Sequence, residues 1–458
     1  MTAAFFDRED EQKRLRRAMT APGGTLAVIY GRRRCGKSTL LQHVISSRDV
    51  YYLADQQEPA LQILDLAAEI DKAVPRFSTA GYATWDSLLL NLDDRLDRRI
   101  SLCLDEFPYL VQQSPALPSM LQKYLDRPGP KKLNLVLSGS SQRMMHGLVL
   151  DRTAPLYGRA REILKIEPLK AGWIRDALRL KGEKAIEAYS VWGGVPRYWE
   201  LASSFDGLDE AIRELVLHPN GVLHEEPMGL LRDEMRSAVQ PYSLLSVIGQ
   251  GCHRLSEIAG RLGKPATSLM RPLAQLVDLG YVRRETPFGE HEKSTRRTLY
   301  KIADPFLLFH FRFVQPNKSH LEVGGTPAVA AKISTQLALH VSAVWEELAR
   351  SSVPSSGIGG YQWGPARRWW GTGNDDRAAE VDVVAESLDG TSVLVGEAKW
   401  STTAVNVDAA RDRLLAIARN STWARGRDVV PVLWIKRGPR RSNVLIQTPD
   451  DVLDCLTL

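Results

Sequence analysis

The run Gly31-Arg32-Arg33-Arg34-Cys35-Gly36-Lys37-Ser38-Thr39 constrains this chain more than any other. It is preceded by the apolar stretch Leu26–Tyr30 and followed by the helical pattern Thr39–Ile45. Strand, loop and helix in that order make a turn whose glycines let successive backbone N–H groups converge on one point. The positive end of the following helix strengthens the field there. Such a concavity holds phosphate. Lys37 is placed to reach the β- and γ-phosphates of a nucleoside triphosphate, and the Ser38 hydroxyl to hold Mg²⁺. An α/β fold around a parallel sheet, with bound ATP or GTP, is the expectation.

A second motif adds chemistry to binding. Ile100-Ser-Leu-Cys-Leu104 is a short apolar run of the kind buried in a parallel sheet, and it ends in Asp105-Glu106. An acid at the tip of such a strand positions Mg²⁺ through its water shell. The neighbouring Glu106 is then placed to polarise an attacking water as general base. Hydrolysis is expected as well as binding.

A length of 458 residues corresponds to about three domains. Hydrophobic residues at 44% and charged residues at 25% are those of a soluble protein with ample core. The net charge of +6 is compatible with a nucleic-acid partner without requiring one. Cys35, Cys103, Cys252 and Cys455 show neither metal-ligand spacing nor pairing, which fits a reducing cytoplasm. Early acids at the amino terminus argue against a signal peptide, and no run approaches the roughly 20 apolar residues of a membrane span.

Three blocks are expected. In residues 1–235, strands at 26–30, 50–53, 100–104, 133–138 and 162–166 alternate with helices, the first opening at Asp7 as N-cap. Residues 236–320 read as helices over 241–249, 255–262 and 266–279, then strands 281–286 and 298–302. That order is winged-helix topology, with Arg283, Arg284, Lys293, Arg296 and Arg297 available to grip DNA phosphates, partly neutralised by Glu285, Glu290 and Glu292. The aromatic run Phe306–Phe313 reads as core. Residues 335–458 form a further α/β unit with a helix over 340–350, strands at 379–385, 392–398 and 429–435, and a helix near 407–418.

This last block carries its own chemical pattern. Glu380-Val-Asp382 on one strand and Glu397-Ala-Lys399 on the next match the core of the PD-(D/E)XK nuclease signature. Glu397 and Lys399, two apart on a strand, share a face. Asp382 and Glu397 would share Mg²⁺ from adjacent strands, Lys399 would orient or deprotonate water, and Glu346 could complete the cluster. An exposed strand edge carrying Glu-x-Lys is the alternative.

Phe6-Asp-Arg-Glu9, the triple-arginine loop, Leu104-Asp-Glu-Phe107, Ser138-Gly-Ser-Ser141, Pro155-Leu-Tyr-Gly-Arg159 and Gly193-Gly-Val-Pro196 together resemble the archaeal-type P-loop ATPases, an AAA+-related clade. The tail Trp345-Glu346 … Glu380-Val-Asp382 … Gly396-Glu-Ala-Lys-Trp400 resembles the restriction-endonuclease-like domain that often follows them. The resemblance implies ATP rather than GTP, with Mg²⁺. It implies that Ser140 senses the γ-phosphate, that Arg159 acts as a finger on a neighbouring subunit, and that Pro196 belongs to a helical lid. A structural Arg159 paired with a nearby acid is the alternative. The lid offers only Arg197 as a second sensor, which favours a slow switch over tightly coupled ring hydrolysis. The expected function is an ATPase coupled to a DNA-binding, nuclease-like tail in DNA maintenance or defence. The alternative is a non-catalytic switch that binds DNA or a protein partner.

Overall fold

The computed structural model describes residues 5–22, 24–235, 237–291, 295, 297–438 and 443–457. The expected phosphate-gripping Lys293 and Arg296, and their neighbour Glu292, lie outside the described residues. The chain divides into two compact units. One runs to Pro168 and takes in Asp233–Met235; the other comprises Leu169–Arg232 and the residues after Met235.

The first unit is built on β1 (Leu26–Tyr30), β2 (Val50–Leu53), β3 (Ile100–Asp105), β4 (Leu133–Gly139) and β5 (Ala160–Lys165). They form one sheet in the order β2-β3-β4-β1-β5, and every pairing is parallel. Every residue of β3 and β4 is buried, as expected when helices cover both faces of a parallel sheet. Leu26, Val28, Leu102, Leu104, Leu135 and Leu137 pack there against the helices Pro59–Asp71, Trp85–Arg95 and Leu117–Asp126. Each such side chain contributes about 1.5–3 kcal/mol by leaving water.

Asn134, a buried polar residue of β4, is satisfied: it accepts from the Thr25 N–H at 2.8 Å and donates to the Met19 carbonyl at 2.6 Å. The strand order sets the carboxyl ends of β1, β3 and β4 side by side, where open α/β sheets bind ligands. The first helix starts later than expected, at Glu9, with Arg8 at its N-cap. Asp7 is itself left-handed (φ 58°) and stands one residue too early to cap it.

In the second unit, helices at Val239–Gly249, Leu255–Leu262 and Ala266–Asp278 precede the antiparallel pair β6 (Val282–Glu285) and β7 (Leu299–Ile302), the order expected. Phe306, Phe309, Phe311 and Phe313 are all buried, as core. A 31-residue helix, Thr326–Ser356, then leads into a second five-stranded sheet. Its strands are β8 (Arg367–Thr372), β9 (Ala378–Glu386), β10 (Ser392–Lys399), β11 (Asp428–Ile435) and β12 (Leu445–Gln447), side by side in reverse sequence order. The β8–β9 and β9–β10 pairs are antiparallel; β10–β11 and β11–β12 are parallel. β8 and β12 were not expected.

The β6–β7 pair is tied to its surroundings by charge. Arg283 bonds Glu285 at 2.8 Å and lies 3.1 Å from Glu347 on the long helix. The Phe288 N–H reaches the Arg368 carbonyl of β8 at 2.9 Å, and Arg297 reaches the Trp370 carbonyl at 3.1 Å. The hairpin thus covers part of the edge strand of the sheet. Arg283 and Arg297 thus have protein partners, among them Glu285 and Glu290, the acids expected to neutralise this loop in part.

Candidate active site at the carboxyl end of the first sheet

The turn after β1 has the curl that its glycines and following helix predict. Gly36 is left-handed (φ 89°) and N-caps the helix Lys37–Val44; Arg34 is left-handed as well (φ 67°). Gly31 (φ 149°) lies so close to the next strand's exit that a Cβ would run into the Ile166 carbonyl oxygen. Lys37 is only 5% exposed and its ammonium donates to the carbonyls of Gly31 (2.9 Å) and Arg32 (3.1 Å). Burial pulls its pKa below the ordinary lysine value, while Glu106, Cys35 and Asp105 act to keep it charged. Arg32 and Cys35 are buried, Arg33 and Arg34 exposed, and Ser38 and Thr39 half-buried at the start of the helix. A backbone cradle of this kind with a buried cation at its base fits a triphosphate.

Asp105 ends β3 and is fully buried. One carboxylate oxygen accepts the Glu106 N–H at 3.0 Å, and the other accepts the Tyr51 hydroxyl at 2.8 Å. Burial and the Asp105 charge push the Tyr51 phenol pKa upward, with Ser38 and Gln42 within hydrogen-bonding reach working the other way. Tyr51 therefore stands between the two residues expected to serve Mg²⁺. Glu106 takes a left-handed backbone (φ 52°) at the start of the helix Phe107–Gln113. Its carboxylate accepts the Ser140 hydroxyl (2.7 and 2.8 Å) and the Ser140 N–H (3.2 Å). Lys37, Asp105, Glu106 and Ser140 are thus brought to one end of the sheet.

Three residues here escaped the sequence reading. Tyr51 lies on edge strand β2, where only the strand order reveals its neighbour. Asp233 bonds Arg33 of the loop at 2.6 Å. Glu234, almost fully buried, accepts the backbone N–H groups of Gln142 (3.2 Å) and Arg143 (3.4 Å) just after β4. Burial raises the Glu234 pKa, with those N–H groups and Lys37 opposing. No local pattern marks either acid, because both act across about a hundred residues of sequence or more.

Arg159 makes a bidentate pair with Asp126 (2.9 and 2.7 Å) and also donates to the Pro155 and Tyr157 carbonyls. Pro196 opens the helix Pro196–Ala202 and belongs to the second unit.

The second unit holds the other predicted group. Val383 of β9 faces Gly396 of β10, so Asp382 and Glu397 are the next residues along that antiparallel ladder. Asp382 accepts the Ala398 N–H at 3.0 Å. Glu397 is 6% exposed, lies 2.9 Å from Lys399 and pairs with Arg413 of the helix Val407–Arg419. Its other oxygen is buried without a hydrogen-bond partner. Burial raises the pKa of both Glu346 and Asp382, and Asp382 adds to the effect on Glu346. A recess of about 490 Å³ is lined by Glu397, Lys399, Asn406 and Arg413. Among the described residues, no group of three or more His, Cys, Asp or Glu is placed to hold a metal ion. Asp382, Glu397 and Lys399 are neighbours, but basic partners occupy Glu397.

With this geometry in view, the relatives of the chain are informative. Residues 5–201 match an ATPase domain predominantly from Archaea. Residues 310–411 match a domain of archaeal and bacterial proteins of unknown function. An uncharacterized protein of Methanocaldococcus jannaschii is 29% identical over 406 residues, spanning 86% of this chain and 87% of its own. Among solved structures, the Walker-type ATPase of Pyrococcus abyssi is 21% identical, with a TM-score of 0.52 over 67% of this chain and 96% of its own. The Aeropyrum pernix ORC2 protein, solved in ADPNP–ADP complexes, is 18% identical over 69% of this chain and 95% of its own, with a TM-score of 0.41. The matched residues 5–201 include every residue of the loop, Asp105, Glu106, Ser140 and Arg159. No described helix is long and apolar enough to cross a membrane.

Proposed function

We propose that the ATPase domain binds ATP with Mg²⁺ and hydrolyses it, and that the second unit responds by binding nucleic acid. The Glu106–Ser140 pair beside the Lys37 loop carries this reading. The loop amides and Lys37 bind and orient the phosphates. Ser38 and Asp105 are the residues that would hold Mg²⁺, which when bound neutralises charge on the β- and γ-phosphates. Glu106 takes a proton from the attacking water. Ser140 holds the Glu106 carboxylate in place and senses the γ-phosphate. Arg159, once released from Asp126, stabilises charge in a neighbouring copy's site. Pro196 serves in a lid over the nucleotide.

Replacing Lys37 with alanine tests the binding step: nucleotide affinity is expected to fall by at least about a hundredfold, since a buried phosphate-binding cation is lost. Unchanged affinity would overturn the assignment.

For the tail, one observation favours a non-catalytic switch over a nuclease. One Glu397 oxygen is paired with both Lys399 and Arg413, so basic groups share the acid that a metal would need. The nuclease reading keeps Glu346, Asp382 and Glu397 as metal ligands and Lys399 as the group acting on water. Plasmid DNA incubated with the protein, ATP and Mg²⁺ or Mn²⁺ separates the two. Cleavage that Lys399→Ala abolishes establishes the nuclease; intact plasmid leaves the switch.

A further inference from the structure

A second recess in the C-terminal unit, of about 660 Å³, has a lining unlike that of the Glu397 group. Its aromatic part is Phe288, Trp369 and Trp423. Trp423 stands edge-on to both of the others, with ring centroids 6.1 Å from Phe288 and 5.6 Å from Trp369. Its basic part includes Arg297, Arg425 and Arg427, and Arg367 adds a fourth guanidinium. Among the described residues of the lining, two acids face these, Glu290 and Glu386. Glu290 is taken up by Arg297, and Glu386 by Arg427 at 2.6 Å. The lining therefore keeps a positive excess, with Arg425 on the exposed turn after the short helix Thr422–Ala424.

A separate observation concerns Trp423 itself. Its indole N–H is buried and has no hydrogen-bond acceptor, although Arg427 bonds its backbone carbonyl at 3.1 Å. A buried donor without an acceptor is costly, by about 1–3 kcal/mol, and calls for an explanation. Aromatic rings beside an exposed guanidinium such as that of Arg425 form the surface on which an unstacked base and its phosphate are held together. The volume lies in the range of ordinary ligand sites.

We propose that this recess binds a phosphorylated nucleoside, either free or as part of a single strand. The proposal deepens the nucleic-acid part of the reading above and is independent of turnover at Glu106 and of any cleavage at Glu397. Trp423 and Phe288 receive the base, and Arg425 with its neighbours receives the phosphate.

The test titrates the full chain with a fluorescein-labelled short oligothymidylate, followed by anisotropy, and with thymidine 5′-monophosphate as competitor. Saturable binding to the wild-type chain is expected. Arg425→Glu, a surface change, should weaken it by about tenfold, as expected when a phosphate contact is reversed. Trp423→Phe, which replaces the indole by a smaller aromatic ring, should weaken it several-fold. Wild-type-like circular dichroism and denaturant melts of both variants certify that they fold. Displacement by the monophosphate identifies a free nucleotide as sufficient; binding of the oligonucleotide alone identifies the strand. Absence of binding by the wild-type chain, or equal binding by both variants, overturns the proposal. Either result leaves the ATPase reading standing, because that rests on turnover.

Discussion

The Tyr51 hydroxyl donates to Asp105 Oδ2 at 2.8 Å, from the edge strand of the sheet to the tip of the neighbouring one. Asp105 is buried and its other oxygen is fixed by the Glu106 N–H, so Tyr51 decides how the carboxylate is aimed. Positioning groups behind a metal ligand are often as consequential as the ligand itself.

Tyr51→Phe should therefore raise the Mg²⁺ concentration needed for half-maximal turnover by several-fold, with the maximal rate little changed. Loss of one hydrogen bond should also cost about 1 kcal/mol of stability. Magnesium titrations of ATP turnover decide the matter. Superimposable curves for the two proteins would remove Tyr51 from the site.

The bidentate Arg159–Asp126 pair separates two roles for the arginine. If Arg159 serves a neighbouring subunit, it must leave Asp126 to do so. Asp126→Asn should then preserve or increase turnover, whereas Arg159→Ala should lower it at least tenfold, as for other trans-acting arginines. Equal losses in both variants would show that the pair only braces the chain between the helix Leu117–Asp126 and β5.

Glu285 gives a pH prediction in the second unit. Burial disfavours its charge, but Arg283, Lys301 and Arg350 outweigh that and hold its pKa at about 2. A depressed folded-state pKa means that this stabilisation is present above the unfolded value of about 4.3 and is lost as pH falls through 2. The magnitude is about 3 kcal/mol at neutral pH. Glu285→Gln should lower stability by a similar amount at pH 7, and the difference should shrink between about pH 4 and pH 2. Denaturant melts at several pH values measure it; a gap that stays constant over that window would contradict the charge network.

Much of the first unit was legible because its signals are local. The strand–loop–helix around Gly31 to Thr39, and the apolar run ending in Asp105-Glu106, each state their structure within about ten residues. All five of its strands were located, with shifts of a residue or two at β3, β4 and β5. What stayed hidden depends on strand order and on returns of the chain. Tyr51 meets Asp105 only because β2 lies beside β3, and Glu234 meets the N–H groups of Gln142 and Arg143 only because the chain comes back. In the second unit, β8 escaped notice because Arg367-Arg-Trp-Trp-Gly-Thr372 lacks an apolar run, and β12 is only three residues long. The Glu397–Lys399 neighbourhood was readable from strand periodicity, whereas Arg413 came from a helix whose face the sequence does not orient. The pairing of Arg283 with Glu347 stayed hidden for a similar reason: that acid comes from a distant helix.

ATP turnover by the Glu106→Gln protein, beside wild type, tests the central claim most directly. The substitution keeps size and one acceptor oxygen for Ser140 but removes the base. The account predicts that the variant binds MgATP as tightly as wild type and hydrolyses it at least about a hundredfold more slowly, as expected for loss of general-base catalysis. Hydrolysis by the variant at the wild-type rate, or no hydrolysis by the wild-type protein itself, would contradict it.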